Sequence, residues 1–542
     1  MNKLFLICCL YLLSNSVQAQ LPAPEYHKGK ATLNGKIVNY EPSNNLDFRI
    51  GAPNIVMHAA ETLYPTIEAD GSFSVAIPLY HSSQIRLLLG KADKTILMSP
   101  DKETTVTIDF GNPPGKQFIY GGEHATINNE LEQPELKKGM PTIYRDGDRL
   151  DAIVDISANE LKRRCIDEYK KEVAHNDAQQ QFGESARTLA NLMCAFACLH
   201  NLQATRHCLQ TAHQKRHNLS REQAFAAFRN LRLPDDYYDC LDSFPVNHPL
   251  ALYCYNYRDA LMTDYITYSD EMESQQYLLD HAPLTREEQS LIGRYKAVLK
   301  EGIPFQQHED LMALSIKYKK ESEQYHWQRF TAAKENLSRI LKDSTCLLVD
   351  RMRTIFTRSN LYNLIPLTPR QEMVAAGITN PILRGIVFDM NQQMQPRKKV
   401  TPKKSIVCQA PQVPEKELLS ALIARHKGKV QFIDFWATWC GGCRQIIKEY
   451  EPLKKEMTED KVAFVYLTGP SSVAKTWNIL IPDIEGEHYW LNKEQWNYLW
   501  TDFKMRGLPM YLLIDKQGNI VKKFVHMTAN ELKVLLQQEI NK

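Results

Sequence analysis

The sequence predicts a multidomain protein with an N-terminal β-sandwich, a central all-α region and a C-terminal α/β domain. The chain has 542 residues, more than one hydrophobic core normally serves. Its apolar pattern changes from short strand-like runs to a helical period after residue 122, and the two alternate from residue 415 onward. A formal net charge of +3, with no long basic face, argues against a nucleic-acid partner.

Residues 1–19 are expected to be a secretory signal peptide. Lys3 precedes an apolar run from Leu4 to Leu13, and Val17–Ala19 supplies the small residues of a cleavage site. The run is too short to serve well as a spanning helix. We therefore expect an exported protein of the periplasm or cell envelope, where disulfides persist.

Residues 20–122 carry the predicted sandwich. Short apolar runs such as Ile85–Leu89 are separated by turn signals. Asp70-Gly71, between Thr66–Glu68 and Phe73–Ile77, predicts a hairpin. About six or seven strands at this spacing are typical of a small sandwich.

Residues 123–390 are predicted to be helical. Apolar residues such as Leu161, Cys165 and Tyr169 recur on one helical stripe. Three capping-box signatures mark helix starts; they are Ser220 with Gln223, Thr285 with Glu288, and Thr368-Pro369 with Gln371. This region is expected to dock a partner, to form an oligomer or to position the last domain.

Residues 391–414, with four prolines and a basic cluster at Arg397–Lys399, predict a solvated linker. Residues 415–542 then alternate helices with strands. The strand Val430–Phe435 leads into a CxxC motif, and the hairpin of Tyr511–Asp515 and Ile520–Val525 precedes a last helix. This order predicts a mixed central sheet.

Cys440 and Cys443 form the CxxC, for which three functions are weighed. A zinc site usually needs a second pair of ligands at close spacing, and the downstream His488 and His526 are isolated. A purely structural disulfide in so short a loop removes little chain entropy. Redox exchange is favoured because Cys440 falls at a helix N-terminus, where backbone N–H groups stabilise a thiolate. Cys440 is then the nucleophile, and Cys443 resolves the mixed disulfide.

The stretch from Phe435 to Arg444 (FWATWCGGCR) resembles the active site of the thioredoxin superfamily. Gly507-Leu508-Pro509, followed by the strand at 511–515, resembles the cis-proline hairpin of exported TlpA/ResA-like thiol–disulfide oxidoreductases, particularly multidomain Bacteroidetes-like forms. The resemblance covers residues 411–540. Two departures stand out: the central dipeptide is Gly-Gly where relatives commonly carry a proline, and Ile446 replaces the glutamate of ResA-like members.

The resemblance implies roles for the matching residues. Pro509 would be a cis-proline facing the disulfide, with Leu508 offering backbone groups to a substrate strand. Asp434 would be the buried carboxyl that takes the proton of Cys443; a solvent-facing strand end is the alternative. Trp439 and Gly441 complete the expected substrate-binding set.

A second cysteine and histidine group leaves alternatives open. Cys194, Cys198 and Cys208 precede His213 and His217, and the first pair and the histidine pair are each spaced i, i+4. A metal site, a disulfide in this region and buried thiols are all considered, with buried thiols favoured because free cysteine packs as a small core residue. No metal and no cofactor are expected.

The expected function is thiol–disulfide exchange with disulfide-containing protein substrates, with the protein acting as a reductase that a membrane-bound thiol electron donor re-reduces. Thiol oxidation or isomerisation uses the same chemistry in another direction. A cell-envelope binding or assembly protein with a passive redox module is the rival of a different class. The presence of the CxxC, Asp434 and Pro509 in one domain favours catalysis, because a passive module has no need of all three.

Overall fold

The structure is a computed structural model of the 542-residue chain. It describes residues 20–41, 46–57, 61–139, 142–143, 146–228, 233–234, 236–258, 271–301, 308–394, 404–458, 460–505, 507–525 and 527–542. The expected signal peptide, the basic cluster Arg397–Lys399 and His526 lie outside the described residues. No helix within the described ranges is long and apolar enough to cross a membrane.

Two four-stranded sheets form the N-terminal part. The strands are β1 Gly29–Ile37, β2 Phe48–Ala52, β3 Glu61–Leu63, β4 Ser72–Leu79, β5 Ser83–Leu89, β6 Ala92–Met98, β7 Glu103–Ile108 and β8 Phe118–Gly122. One sheet has the order β4-β1-β7-β8 and the other the order β3-β2-β5-β6. Apolar residues of both sheets, among them Leu33 and Leu87, share one core, as expected where alternate side chains of each strand face inward.

The predicted hairpin at Asp70-Gly71 is wrong in its first strand. Gly71 does make a tight turn, with φ of 85°, and the Glu68 N–H donates to the Ser72 carbonyl at 2.8 Å. However, β4 pairs with β1, and β3 pairs with β2. The segment between β3 and the turn contains Pro65, which has no N–H to donate to a ladder.

Helices fill the described residues from 125 to 393. They are α1 Ala125–Leu131, α2 Gly147–Asp151, α3 Ala158–Ala178, α4 Glu184–Gln203, α5 Thr205–His217, α6 Arg221–Phe228, α7 Glu271–His281, α8 Arg286–Glu301, α9 His308–Lys317, α10 Lys319–Leu341, α11 Leu347–Tyr362, α12 Pro369–Ala376 and α13 Pro381–Gln393. The three predicted capping boxes are confirmed by reciprocal hydrogen bonds at the starts of α6, α8 and α12.

The C-terminal part has one six-stranded mixed sheet with helices on both faces. Its elements are β9 Ser405–Cys408, α14 Glu415–Ala424, β10 Val430–Phe435, α15 Gly441–Glu449, α16 Glu451–Glu456, β11 Val462–Thr468, α17 Ala474–Leu480, β12 Gly486–Trp490, α18 Lys493–Asp502, β13 Met510–Ile514, β14 Ile520–Phe524 and α19 Ala529–Asn541. The order β14-β13-β10-β11-β12-β9 places β10 inside the sheet. It runs parallel to β11 and antiparallel to β13.

Strand β9 lies inside the segment predicted as a linker. It pairs in parallel with β12, Cys408 opposite Tyr489, so part of that segment belongs to the sheet. Two of its four residues, Ile406 and Val407, are exposed and the other two are partly buried, as is usual for an edge strand. The prolines and lysines around this strand are typical of a linker, so the amino-acid composition did not predict it.

The three parts of the chain contact one another through specific hydrogen bonds. The Tyr255 N–H donates to Gln84 Oε1 of β5 at 3.1 Å, joining the sheets to the helical region. The Tyr64 hydroxyl donates to Glu449 Oε2 of α15 at 3.1 Å, joining them to the C-terminal part. The CxxC helix is therefore in contact with the rest of the molecule as well as with its own sheet.

Candidate functional site

The two cysteines of the CxxC form a disulfide where the central strand β10 gives way to helix α15. Cys440 is the N-cap of α15, and its Sγ accepts a hydrogen bond from the Cys443 N–H at 3.1 Å. The Cα atoms of the pair are 5.3 Å apart. Cys440 is 5% exposed and Cys443 fully buried. The N-terminal end of a helix stabilises negative charge, so this position favours a thiolate at Cys440 when the bond is reduced.

The loop after β11 holds the segment between β10 and Cys440. The Thr438 N–H donates to Ser472 Oγ at 3.1 Å, and the Thr438 hydroxyl accepts from the Val473 N–H at 2.9 Å. Trp439 Nε1 donates to Ser471 Oγ at 3.1 Å. These bonds fix the approach to the nucleophile. Sequence reasoning missed the two serines because nothing in the local pattern relates residue 472 to residue 438.

Asp434 is fully buried on β10, where it is paired with Tyr466 of β11, a residue of the apolar cluster that contains both cysteines. It shares a face of β10 with Phe432, and Phe432 packs against Tyr450 and Ile446 at the other end of α15. Neither carboxylate oxygen has a hydrogen-bond partner among the described residues. Burial therefore raises the pKa of Asp434 well above its usual range. The alternative of a solvent-facing Asp434 is wrong.

Lys454 is the charged neighbour of Asp434, and sequence reasoning missed it. Its side chain is almost fully buried and donates to Glu451 Oε1 at 3.1 Å and to the Glu485 carbonyl at 3.2 Å. Its ammonium group partly offsets the effect of burial on the pKa of Asp434. Burial in turn lowers the pKa of Lys454. The pKa of Asp434 is thus raised by burial and lowered in part by the buried ammonium group of Lys454.

The remaining expected site residues surround the disulfide. The Leu508–Pro509 peptide bond is cis, as the resemblance implies. A Cβ on Gly442 would lie 3.9 Å from Pro509 Cδ, so the proline faces the CxxC turn. Leu508 and Trp439 are partly buried against the cluster that contains both cysteines.

The end of helix α11, from the helical region, also reaches the site. A Cβ on Gly441 would lie 2.9 Å from Tyr362 Oη. The Arg444 guanidinium lies 4.3 Å from the centre of the Tyr362 ring, and its Nη1 donates to the Tyr362 carbonyl at 2.8 Å. Sequence reasoning missed this contact, which joins residues some eighty positions apart.

The second cysteine and histidine group separates in the structure. Cys194, Cys198 and Cys208 are buried cysteines outside any disulfide, while His213 and His217 lie beside Asp155 with ligand atoms within 4.8 Å of one another. Asp155 and His217 are exposed. The cysteines are therefore core residues, and the histidine pair with Asp155 is a surface cluster whose donor atoms suit a divalent metal ion.

Comparison with known families identifies the C-terminal part. Residues 420–539 match a family model described as a thioredoxin-like domain. The thioredoxin-like protein YneN of Bacillus subtilis is 30% identical over 103 residues, which are 17% of this chain and 55% of that protein. A thioredoxin of Malassezia sympodialis is 50% identical over 36 residues, 7% of this chain and 34% of that one. The chain thus spans about half or less of the length of these relatives.

Solved structures that resemble this chain each cover about a fifth of it. A thiol:disulfide interchange protein of the thioredoxin family from Chlorobium tepidum is 21% identical, with a TM-score of 0.20, over 22% of this chain and 83% of that one. The thioredoxin domain of a thiol-disulfide oxidoreductase from Bacteroides vulgatus is 21% identical, with a TM-score of 0.19, over 22% and 84%.

Proposed function

We propose that this protein is a thiol–disulfide oxidoreductase of the exported TlpA/ResA-like kind, which exchanges its Cys440–Cys443 pair with disulfides of protein substrates, chiefly as a reductase. The observation that carries the proposal is the place of Cys440. It caps the N-terminus of α15 and is bonded to Cys443, and the strand that leads to it carries the fully buried carboxyl of Asp434. A passive module has no use for this combination.

The first step is attack by the reduced pair on a substrate disulfide. The Cys440 thiolate forms a bond to one substrate sulfur, and the other leaves as a thiolate. The N-terminal N–H groups of α15 stabilise the charge on Cys440 before the attack. The backbone of Leu508, beside the cis-proline, is available to align an extended substrate strand next to the sulfurs.

The second step releases the substrate. Cys443 attacks the sulfur of Cys440, which restores the internal disulfide and expels the second substrate thiolate, so that two electrons pass to the substrate. Cys443 must lose its proton as it attacks, and Asp434, the fully buried carboxyl of the strand that leads into the motif, is proposed to take it. Its raised pKa brings a carboxyl closer to the working pH, where a base is most effective.

A reductase of this kind needs a supply of electrons. We propose that a membrane-bound thiol donor reduces the Cys440–Cys443 disulfide from the periplasmic side of the cell envelope. The support is the secretory pattern of residues 1–19 and the need for reducing equivalents in an oxidising compartment. The helical region, through which the chain is also proposed to oligomerise, and the β-sandwich would position the redox domain.

The test is turnover of insulin or scrambled-protein disulfides by the full chain with dithiothreitol as donor. Cys440→Ser should abolish turnover, and Cys443→Ser should trap a mixed disulfide detectable by mass spectrometry. Replacement of the buried free thiol Cys254 by serine is the matched control for loss of a cysteine. Unchanged turnover in Cys440→Ser refutes the proposal.

The direction of exchange is decided by the reduction potential of the pair. A value near that of thioredoxin, about −270 mV, supports a reductase, whereas a value near about −120 mV supports an oxidase. The gap corresponds to about 7 kcal/mol, so a titration against dithiothreitol or glutathione separates the two.

A further inference from the structure

The C-terminal turn of α11 lies directly over the redox site. We name Tyr362 and Asn363 the α11 cover. The Tyr362 carbonyl accepts from Arg444, the residue after Cys443, and the Asn363 carbonyl accepts from the buried Thr476 hydroxyl at 2.7 Å. The last carbonyls of a helix have no partner within it. In α11 the carbonyl of the last residue, Tyr362, is satisfied by Arg444 of the thioredoxin-like domain, and this cation suits the negative end of the helix.

The cover is held in place by the backbone that follows it. Leu364 has φ of 55°, a left-handed conformation that a leucine rarely adopts. The Ile365 N–H donates to the Asn360 carbonyl at 2.9 Å and the Leu364 N–H to the Leu361 carbonyl at 3.2 Å. This is a Schellman motif with leucine where glycine is usual. Strain of this kind persists only where surrounding contacts impose it.

The cover is a rigid part of the helical region. Thr354, Thr357 and Leu361, on the same helix, are fully buried. A movement of the cover is therefore a movement of the helical region against the thioredoxin-like domain, not a side-chain rotation. The contact also leaves Asn363 Oδ1 buried without a hydrogen-bond partner among the described residues, which opposes closure.

In this arrangement Cys440 is 5% exposed, and the Tyr362 hydroxyl lies against Gly441, the next residue. Attack on a disulfide needs the two sulfurs to meet in line, so a protein client needs room beside Cys440 on the side where Tyr362 lies. We infer that the α11 cover is a specificity element: it admits small disulfides and thiols to Cys440 in the closed arrangement, and admits protein disulfides only when the helical region moves away. This inference rests on the proposed function, whose redox site it regulates.

The test measures access to Cys440 directly. The reduced full-length Cys443→Ser protein keeps Cys440 as a thiol that cannot re-form the internal disulfide. N-ethylmaleimide and the same maleimide on a polyethylene glycol chain the size of a small protein are compared, and modification of the Cys440 peptide is followed by mass spectrometry. The ratio of the two modification rates measures how far the α11 cover restricts access to Cys440, and the measurement does not require turnover.

In the same background, Tyr362→Ala should raise the rate with the large reagent about fivefold, the equivalent of about 1 kcal/mol, and change the rate with N-ethylmaleimide less than twofold. Thr476→Val, which keeps the shape of the side chain but removes the donor to Asn363, should act in the same direction. Tyr498→Ala, at an exposed tyrosine of α18, is the matched control and should change neither rate. Equal rate ratios in all four proteins overturn the inference.

A second readout separates this inference from the proposed function. With Cys443 restored, Tyr362→Ala should raise turnover of a folded protein disulfide about fivefold and leave that of glutathione disulfide unchanged. A changed access ratio without any protein turnover supports the cover and refutes the proposed function. Protein turnover with an unchanged access ratio supports the function and overturns the cover.

Discussion

Replacing Asp434 by asparagine removes the proposed proton acceptor and keeps the size of the side chain. The carboxyl is fully buried, and burial raises its pKa well above the usual range. The asparagine side chain is neutral and of similar size, so the variant buries no charge at this face of the sheet, and we expect it to fold. Its defect should be confined to the step in which Cys443 attacks the mixed disulfide.

The size of the defect follows from the ionisation of a thiol. For an ordinary thiol pKa of about 8.5, about 3% is ionised at pH 7 and about 75% at pH 9. Without a base only that fraction attacks, so Asp434→Asn should slow release of the second substrate thiol at pH 7 by at most about 30-fold, the limit reached when the wild-type carboxyl is fully ionised. The deficit should nearly vanish at about pH 9, where the thiolate forms unaided.

The wild-type profile should also carry the titration of Asp434 itself. The group accepts a proton only as a carboxylate, and its folded-state pKa is raised. The wild-type rate should therefore fall as the pH drops through that raised pKa, and this acidic limb should be missing in Asp434→Asn.

The assay is a single-turnover measurement of the second thiol released from a preformed mixed disulfide, across the range from about pH 6 to about pH 9. Glu449→Gln is the matched control: this buried carboxyl of α15 also has a raised pKa, but it accepts from the Ala529 N–H and from Tyr64. Equal rates for wild type and Asp434→Asn between pH 6 and pH 8 would refute the reasoning.

Three further predictions follow from single contacts. Lys454→Met removes the cation that lowers the pKa of Asp434, so the acidic limb of the wild-type profile should move to higher pH; an unmoved limb in the same assay contradicts the coupling. Thr368→Ala removes the hydroxyl that accepts from the Gln371 N–H at the start of α12 and should lower the free energy of unfolding by about 1 kcal/mol; Thr368→Ser should restore most of it in denaturant titration. Dialysed protein should hold no stoichiometric zinc, because two of the three donors at Asp155, His213 and His217 are exposed; one zinc per chain by elemental analysis, lost in His213→Ala, would reverse this.

Local signals predicted local structure well. Each capping box is a relation between residues three positions apart, and all three form because the hydroxyl and the N–H that it meets are held within one helical turn. The strand β10 and the helix start at Cys440 were equally visible. The hairpin at Asp70-Gly71 failed because the turn fixes the chain reversal but not the partner of the strand before it.

Contacts between residues far apart in the sequence could not be predicted from it. Lys454 approaches Asp434 because α16 returns over the sheet face, and a lysine in a charged run reads as a solvated residue until its burial is seen. The edge strand β9 depends on the exposed edge of β12 to pair with. Neither periodicity nor composition records such a partner.

The Gly-Gly dipeptide of the CxxC motif lies against the end of helix α11. Gly441 lies at the start of α15, and a Cβ there would come within 2.9 Å of the Tyr362 hydroxyl oxygen, closer than Cβ atoms approach other heavy atoms in proteins. The tyrosine is held by Arg444 and by the Schellman turn, so it has little freedom to withdraw. A glycine at position 441 is therefore compatible with the α11 cover in a way that a larger residue is not. A Cβ on Gly442 would meet only Pro509 Cδ at 3.9 Å, an ordinary contact, so the α11 cover accounts for the glycine at position 441 and not for the one at position 442.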